Sequence, residues 1–169
     1  DLLLGPEMKS TGEVMGLGDS FDEAFAKAAL AVGERLPAQG VAFMSVRDVD
    51  KPGAASVARD LVDAGFRIIA TTGTAKALEA EGIAVERVNK VREGRPHIVD
   101  AIKNGQVQLI INTTEGRKAI SDSAQIRQSA LQTKVTYTTT LAGGEAFCRA
   151  IKFGPERTVR RLQELHAGK

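Results

Sequence analysis

Residues 66–82, FRIIATTGTAKALEAEG, contain a strand, a polar loop and a helix in direct succession. Phe66–Ala70 is an apolar run of strand length, Thr71–Thr74 is polar, and apolar residues recur at helical spacing over 74–81. Gly82 follows the helical pattern, at the position where glycine often ends a helix in the left-handed conformation. This unit is typical of a parallel sheet covered by helices.

The same succession recurs on both sides of this unit. Strand-like runs lie at 41–46, 84–88, 107–111 and 134–137, and helical patterns lie at 53–64, 97–104, 117–121, 123–132, 140–151 and 155–166. Alternation of this kind gives parallel strands joined by right-handed crossovers, with helices on both faces of the sheet. We therefore expect an α/β fold, a three-layer sandwich around a five-stranded, mainly parallel, Rossmann-like sheet.

A lead-in and one further helix precede the alternating region. Residues 1–19 contain four glycines, which disfavour regular structure. Ser20 and Glu23 form a capping-box pattern at the start of a helix that ends by Pro37. Because the chain starts at Asp1 beside an apolar run, we expect a piece of a longer protein. The predicted parts are a lead-in at 1–19, a connecting helix at 20–40 and a main domain at 41–169.

Composition excludes several classes of protein. A length of 169 residues with 43% hydrophobic content supports one main domain with a core. A net charge of +2, 4% aromatics and no tryptophan do not favour nucleic-acid binding. No apolar run approaches the ~20 residues of a membrane span. The single cysteine, Cys148, fits a cytoplasmic location, because no internal disulfide can form.

Polar residues follow four of the predicted strands. These segments are Asp50-Lys51, Thr71–Thr74, Asn89-Lys90 and Asn112–Thr114. Because parallel strands end at one edge of a sheet, where ligands bind, we expect the four segments to form one pocket. Its lysines, hydroxyls, amide and glycine-permitted backbone suit a phosphorylated small molecule. The predicted site residues are Lys51, Thr71, Gly73, Thr74, Lys90, Asn112 and Thr114.

Each of these residues also has a structural interpretation. Thr74 is a suitable helix cap with Gly73 in a tight turn, and lysines such as Lys51 and Lys90 are usually solvated in charged loops. The functional interpretation is favoured because Asn112–Thr114 repeats the pattern of Thr71–Thr74. A bound phosphate also needs a nearby cation, since an unpaired charge is costly to desolvate.

The sequence predicts no catalytic residue and no metal site. His97 and His166 lack cysteine or acidic partners at the spacing of metal ligands. Asp100 and Asp122 are isolated, so no pair of acids is placed for proton transfer. Ser121–Ser123 is expected to cap the second of the two helices predicted there.

Several segments resemble a known family. Residues 4–16, LGPEMKSTGEVMG, look like the segment that ends the second ATP-grasp half of carbamoyl-phosphate synthase large chains. The rest of the chain is similar to their C-terminal allosteric domain, which has a methylglyoxal-synthase-like fold. The segments that carry this likeness are TTGT (71–74), VNKV (88–91), EGRPH (93–97), INTT (111–114) and SAL (129–131). The resemblance covers essentially the whole chain.

The resemblance implies a regulatory domain that does no chemistry itself and binds UMP, an inhibitor, or IMP, an activator. Residues at Lys51, Thr71, Thr74, Lys90, Asn112 and Thr114 match the nucleotide-binding lysines, threonines and asparagine of the family. The family also binds ornithine between this domain and the synthetase half, with an acid and a threonine just after the last strand. Thr139 matches that threonine and Thr138 replaces the acid, so Tyr137 and Thr139 are expected to be a remnant of the ornithine site.

The resemblance also implies a parent enzyme. It is a glutamine-hydrolysing ligase that uses ATP with Mg or Mn to make carbamoyl phosphate for pyrimidine and arginine biosynthesis. Its partners are the synthetase half of the same chain and a glutaminase small subunit. No cofactor is expected in this piece.

Two other functions remain open from the sequence. One is a free-standing methylglyoxal-synthase-like lyase acting on a triose phosphate, a family whose catalytic aspartate lies in a loop that corresponds to residues 93–97. That loop has no aspartate here. The other is an assembly domain with a vestigial pocket, against which the two lysines argue.

Overall fold

The computed structural model describes residues 12–114 and 116–154, together with positions 159, 161, 163 and 164. The first part of the lead-in and most of the helix predicted at 155–166 lie outside these residues. Within the described ranges, every helix is too short or too polar to span a bilayer.

Five strands form a single parallel sheet. They are β1 (Gly40–Ser45), β2 (Phe66–Ala70), β3 (Val85–Arg87), β4 (Leu109–Asn112) and β5 (Thr136–Thr138). Their order across the sheet is β3-β2-β1-β4-β5, and every neighbouring pair is parallel. The order turns back between β1 and β4, and a crevice opens at the carboxyl ends of strands at such a point.

In the described part of the chain, five α-helices pack around the sheet and a sixth packs on one of the five. The six are α1 (Phe21–Ala31), α2 (Lys51–Asp63), α3 (Thr72–Ala80), α4 (Ile98–Lys103), α5 (Gly116–Thr133) and α6 (Leu141–Phe153), and it is α1 that packs on α6. One core cluster joins the sheet to α2, α3 and α6, and the other joins its opposite face to α4 and α5. The predicted three-layer α/β sandwich is therefore confirmed.

The central strand β1 shows why the strands appear in the sequence as continuous apolar runs. Ala42 and Met44 belong to the core cluster with α2, whereas Val41 and Phe43 belong to the cluster with α4. All four are buried. Since helices cover both faces of a parallel sheet, both sets of alternating side chains must be apolar.

Local signals at helix ends are confirmed at several positions. Ser20 Oγ accepts from the N–H of Glu23 at 3.2 Å, as the capping pattern predicts. Gly65 and Gly82 follow α2 and α3 with φ of +90° and +76°, in the left-handed region that favours glycine. In the lead-in, a Cβ at Gly16 would overlap the backbone carbonyl of Ala24, so glycine permits close packing on α1.

Three helix boundaries differ from the prediction. Helix α2 begins at Lys51 instead of 53, because Pro52 is tolerated in a first turn. Helix α3 begins at Thr72 with Thr71 as its N-cap, so the interpretation of Thr74 as the cap is wrong. The break predicted at Ser121–Ser123 is also wrong, since α5 is continuous. Serine and aspartate cost a helix only ~0.5 kcal/mol each, which the packing of α5 on the sheet outweighs.

Candidate functional site

The candidate site lies where the strand order turns back, between β1 and β4. A cavity of about 550 Å³ opens there at the carboxyl ends of the strands. Thr71, Lys90, Asn112 and Thr114, four of the seven predicted site residues, line it. They come from the carboxyl end of β4 and from the segments after β2, β3 and β4, so strand order brings together residues far apart in the sequence. A cavity of this size is typical of small-molecule sites.

Hydroxyl groups form a short chain beside the cavity. Ser45 Oγ lies 3.1 Å from Thr71 Oγ1, which in turn lies 3.5 Å from Thr74 Oγ1. Thr74 Oγ1 accepts from the backbone N–H of Val46 at 3.0 Å. Thr74 is only 2% exposed and does not line the cavity, whereas Thr71 does. In this structure Thr74 therefore holds the segment after β1 against α3.

A second set of bonds joins the segments after β1 and β4. The N–H of Thr113 donates to the carbonyl of Ser45, and the N–H of Arg47 donates to Thr113 Oγ1, both at 3.0 Å. Hydrogen bonds from Arg47 and then from Thr113 hold the pKa of Asp50 below its usual value. These bonds fix the backbone around Asn112, which is buried and whose Nδ2 lies 3.4 Å from Tyr137 Oη.

Lys51 lies beside the cavity, at the start of α2. Its Nζ pairs with Asp48 Oδ1 at 2.6 Å, and a Cβ built on Gly73 would lie 3.6 Å from that Nζ. The ammonium is thus next to the first turn of α3, where unpaired backbone N–H groups favour an anion. The hydrogen bond from Lys51, with the charges of Lys51 and Lys90, holds the pKa of Asp48 below its usual value.

Lys90 reaches the cavity from a loop that is closed at its base. Asn89 and His97 pair across the loop, and Asn89 Nδ2 donates to the carbonyl of Pro96 at 3.2 Å. Within it, the N–H of Lys90 donates to Glu93 Oε2 at 2.8 Å. The loop places Lys90 and its neighbour Val91 on the cavity wall.

The structure adds residues that the sequence did not single out. Arg47, Thr113 and Ser45 are polar residues that line the cavity, and Val91, Ile98 and Ile126 are apolar ones. Thr113 lies inside a segment that was already selected, and Ser45 ends a predicted strand. Ile98 and Ile126 could not be recognised as site residues from the sequence, because an apolar residue on a helix is normally interpreted as part of the core.

The two residues expected at an ornithine-site remnant lie at the end of β5. Tyr137 is within β5 and contacts Asn112, as described above. Thr139 follows the strand and is exposed. Thr138 Oγ1 accepts from the N–H of Thr140 at 3.3 Å. The role of this stretch stays a prediction.

His97 and Asp100 form a pair at the start of α4, next to Ile98 of the cavity wall. His97 is buried, its Nδ1 lies 3.1 Å from Asp100 Oδ2, and the same oxygen accepts from the His97 N–H. Asp100 also lies 3.6 Å from Arg95 Nε. Over the part of the chain that the structure describes, no group of three His, Cys, Asp or Glu side chains could hold a metal ion.

Comparison with known proteins agrees with this fold. The family model of MGS-like domains matches residues 53–139. Carbamoyl phosphate synthase large chains of Pseudomonas putida and Halomonas eurihalina are 67% and 60% identical over 99% of this chain, which covers 16% of each protein. That of Xanthomonas axonopodis pv. citri is 56% identical over 98% of the chain and 15% of the protein. The chain thus spans about a sixth of the length of these relatives, and the resemblance found in its motifs is confirmed.

Proposed function

This chain belongs to the family of MGS-like domains, and we propose that it is the regulatory domain of a carbamoyl phosphate synthase large chain. Its cavity at the carboxyl ends of the strands binds nucleoside monophosphates, UMP or IMP. One observation carries the proposal: Thr71, Lys90 and Asn112 line one cavity together with the apolar residues Val91, Ile98 and Ile126. A phosphate needs the cation and hydrogen-bond donors, and a nucleobase suits the apolar residues.

The phosphate would lie between the first turn of α3 and the two lysines. Lys51 is next to Gly73, and Lys90 lies on the cavity wall. Thr71 and Thr114 supply hydroxyl groups, and Asn112 supplies an amide. Lys51 must give up part of its bond to Asp48 for this, since one ammonium then serves two anions.

The domain itself does no chemistry in this proposal. The parent protein makes carbamoyl phosphate in the cytoplasm from bicarbonate, glutamine-derived ammonia and ATP, for pyrimidine and arginine biosynthesis. ATP with Mg or Mn binds in the synthetase half, and a glutaminase small subunit supplies ammonia. Residues 1–19 belong to the end of the synthetase half, and residues 20–40 connect it to this domain. Effector binding would shift the interface between the two parts, with a coupling of ~1–3 kcal/mol.

Titration calorimetry of the chain with UMP and IMP tests the proposed site. The Lys90→Gln variant loses one cation on the cavity wall, so we expect about tenfold weaker binding. The Lys76→Gln variant is a matched control, since Lys76 is exposed on α3 and does not line the cavity. Uridine, which lacks the phosphate, should bind much more weakly than UMP. Equal affinities of the two variants, or no binding of either nucleotide to the unchanged chain, would overturn the proposal.

A further inference from the structure

A second cavity lies at the opposite edge of the sheet. It has a volume of about 460 Å³ and is lined by residues that precede β1, β4 and β5. Three cations line it: Arg35 before β1, Lys103 at the end of α4, and Lys134 between α5 and β5. This edge holds the amino-terminal ends of the strands, so the cavity is separate from the candidate nucleotide site.

The three cations have no opposite charge to hold. Thr136 Oγ1 donates to the backbone carbonyl of Arg35, but among the residues that the structure describes no ion pair or hydrogen bond involves the charged group of Arg35, Lys103 or Lys134. By contrast, Arg59 pairs with Glu81 at 2.8 Å. Like charges around one concave space repel one another, and an anion placed between them would relieve that repulsion.

Polar groups of the cavity other than the cations are already paired. Gln108 Oε1 accepts from the N–H of Val41 at 2.7 Å, and its Nε2 donates to the carbonyl of Gly105 at 2.9 Å. Thr133 Oγ1 donates to the carbonyl of Ser129 at 2.8 Å. The side-chain groups of this cavity that remain available to bind a ligand are therefore the three cations.

The carboxyl group of Glu34 lies beside this cavity. Glu34 is half-buried, and burial raises its pKa, partly offset by a hydrogen bond with Thr136, a residue of the cavity. A single carboxylate leaves the three cations in excess. The local charge therefore stays positive at neutral pH.

Lys134 follows the end of helix α5 and fixes where the chain turns towards β5. Lys134 has φ of +56°, and it is the one residue other than glycine with a positive φ in the described part of the chain. Glycine or asparagine adopts this conformation more readily. Here it closes the end of α5, where the N–H of Val135 donates to the carbonyl of Ala130 at 2.9 Å, and so places Lys134 at the cavity.

We propose that this second cavity binds a compact polyanion, of the size and charge of pyrophosphate or citrate, between Arg35, Lys103 and Lys134. Guanidinium and ammonium groups together suit phosphoryl or carboxylate oxygens. The apolar residues Ile102, Val107 and Val135 line the same cavity and exclude water from one side of the anion.

Amide chemical shifts of the ¹⁵N-labelled chain, titrated with inorganic pyrophosphate and then with citrate, test the proposal. Saturable shifts are expected in 103–108 and 133–136. Pyrophosphate is also expected to shift amides near Thr71 and Asn112, so each cavity has its own set of shifted amides. The Lys90→Gln variant should lose the shifts near Thr71 and Asn112 and keep those in 103–108 and 133–136, whether or not the cavity at the carboxyl ends binds nucleotides.

Charge removal distinguishes a site from diffuse attraction. The Arg35→Gln/Lys103→Gln variant should bind about tenfold more weakly at 103–108 and 133–136. The Lys76→Gln/Arg127→Gln variant loses the same charge from two exposed residues outside the cavity, and should bind as the unchanged chain does. Equal affinities of the two variants, or no saturable shift at 103–108 and 133–136 with either anion, would overturn the proposal. Thermal unfolding of each variant checks that the fold is intact.

Discussion

The backbone N–H of Val46 donates to Thr74 Oγ1 at 3.0 Å, in a buried position between β1 and α3. This bond joins a strand end to a helix start that lies 28 positions further along the chain. Both segments border the candidate nucleotide site. Thr74 therefore has a structural role, whether or not its hydroxyl also contacts a bound phosphate.

Replacement of Thr74 by valine should destabilise the chain. Valine keeps the shape but leaves the buried N–H of Val46 without its acceptor, at a cost of about 1–3 kcal/mol. Urea denaturation measures the change in the free energy of unfolding. Thr72→Val is the matched control, because Thr72 is exposed in the same helix turn and should change stability by less than about 0.5 kcal/mol. Similar effects of the two substitutions would show that the buried bond contributes little.

Asp48 should compete with the effector phosphate for Lys51. The Asp48 side chain is 92% exposed and forms its ion pair with a lysine that is 29% exposed. Asp48→Asn frees the ammonium, so UMP should bind about twofold to fivefold more tightly at low salt. Titration calorimetry measures the gain, with Asp63→Asn as a control at an exposed acid on α2. In a Lys51→Gln background the gain should disappear, and its persistence there would exclude Lys51 as the mediator.

Cys148 should not react with thiol reagents in the folded chain. It is 1% exposed, and burial, with a smaller contribution from Asp60, raises the pKa of its thiol to about 12. Because the thiolate is the reactive form, little of it exists at pH 8. Labelling with dithionitrobenzoate should be slow in buffer and complete in urea. Rapid labelling without urea, at a rate that follows thiol ionisation near pH 9, would contradict the burial of this side chain.

The chain should not convert dihydroxyacetone phosphate to methylglyoxal. The loop at 93–97 carries no aspartate, and the next acid, Asp100, already accepts from the N–H of His97. A colorimetric assay for methylglyoxal measures turnover, with an established methylglyoxal synthase as the positive control. Robust product formation that is lost in Asp100→Asn would favour the lyase over the regulatory domain.

Much of the fold could be predicted from local pattern. The apolar runs gave five strands within a few residues of their observed bounds, and Gly65 and Gly82 marked the ends of α2 and α3. The segment at Ser121–Ser123 misled, because polar residues that favour a cap are also tolerated inside a long helix. The candidate site was selected from the sequence as four polar segments, of which those after β2, β3 and β4 contribute Thr71, Lys90 and Asn112 to one cavity.

Periodicity and helix-end residues are local properties, so the amino-acid sequence alone was sufficient to predict the α/β class, the parallel strands and the edge of the sheet at which polar segments gather. The sequence alone was not sufficient to predict where each side chain lies at that edge. Thr74 and Thr71 look alike in the sequence, yet one holds Val46 and the other lines the cavity. Likewise, Arg35 and Lys134 meet at one cavity only because β1 lies beside β4, and β4 beside β5. These outcomes depend on contacts between distant segments, which chain folding creates and no short window of residues contains.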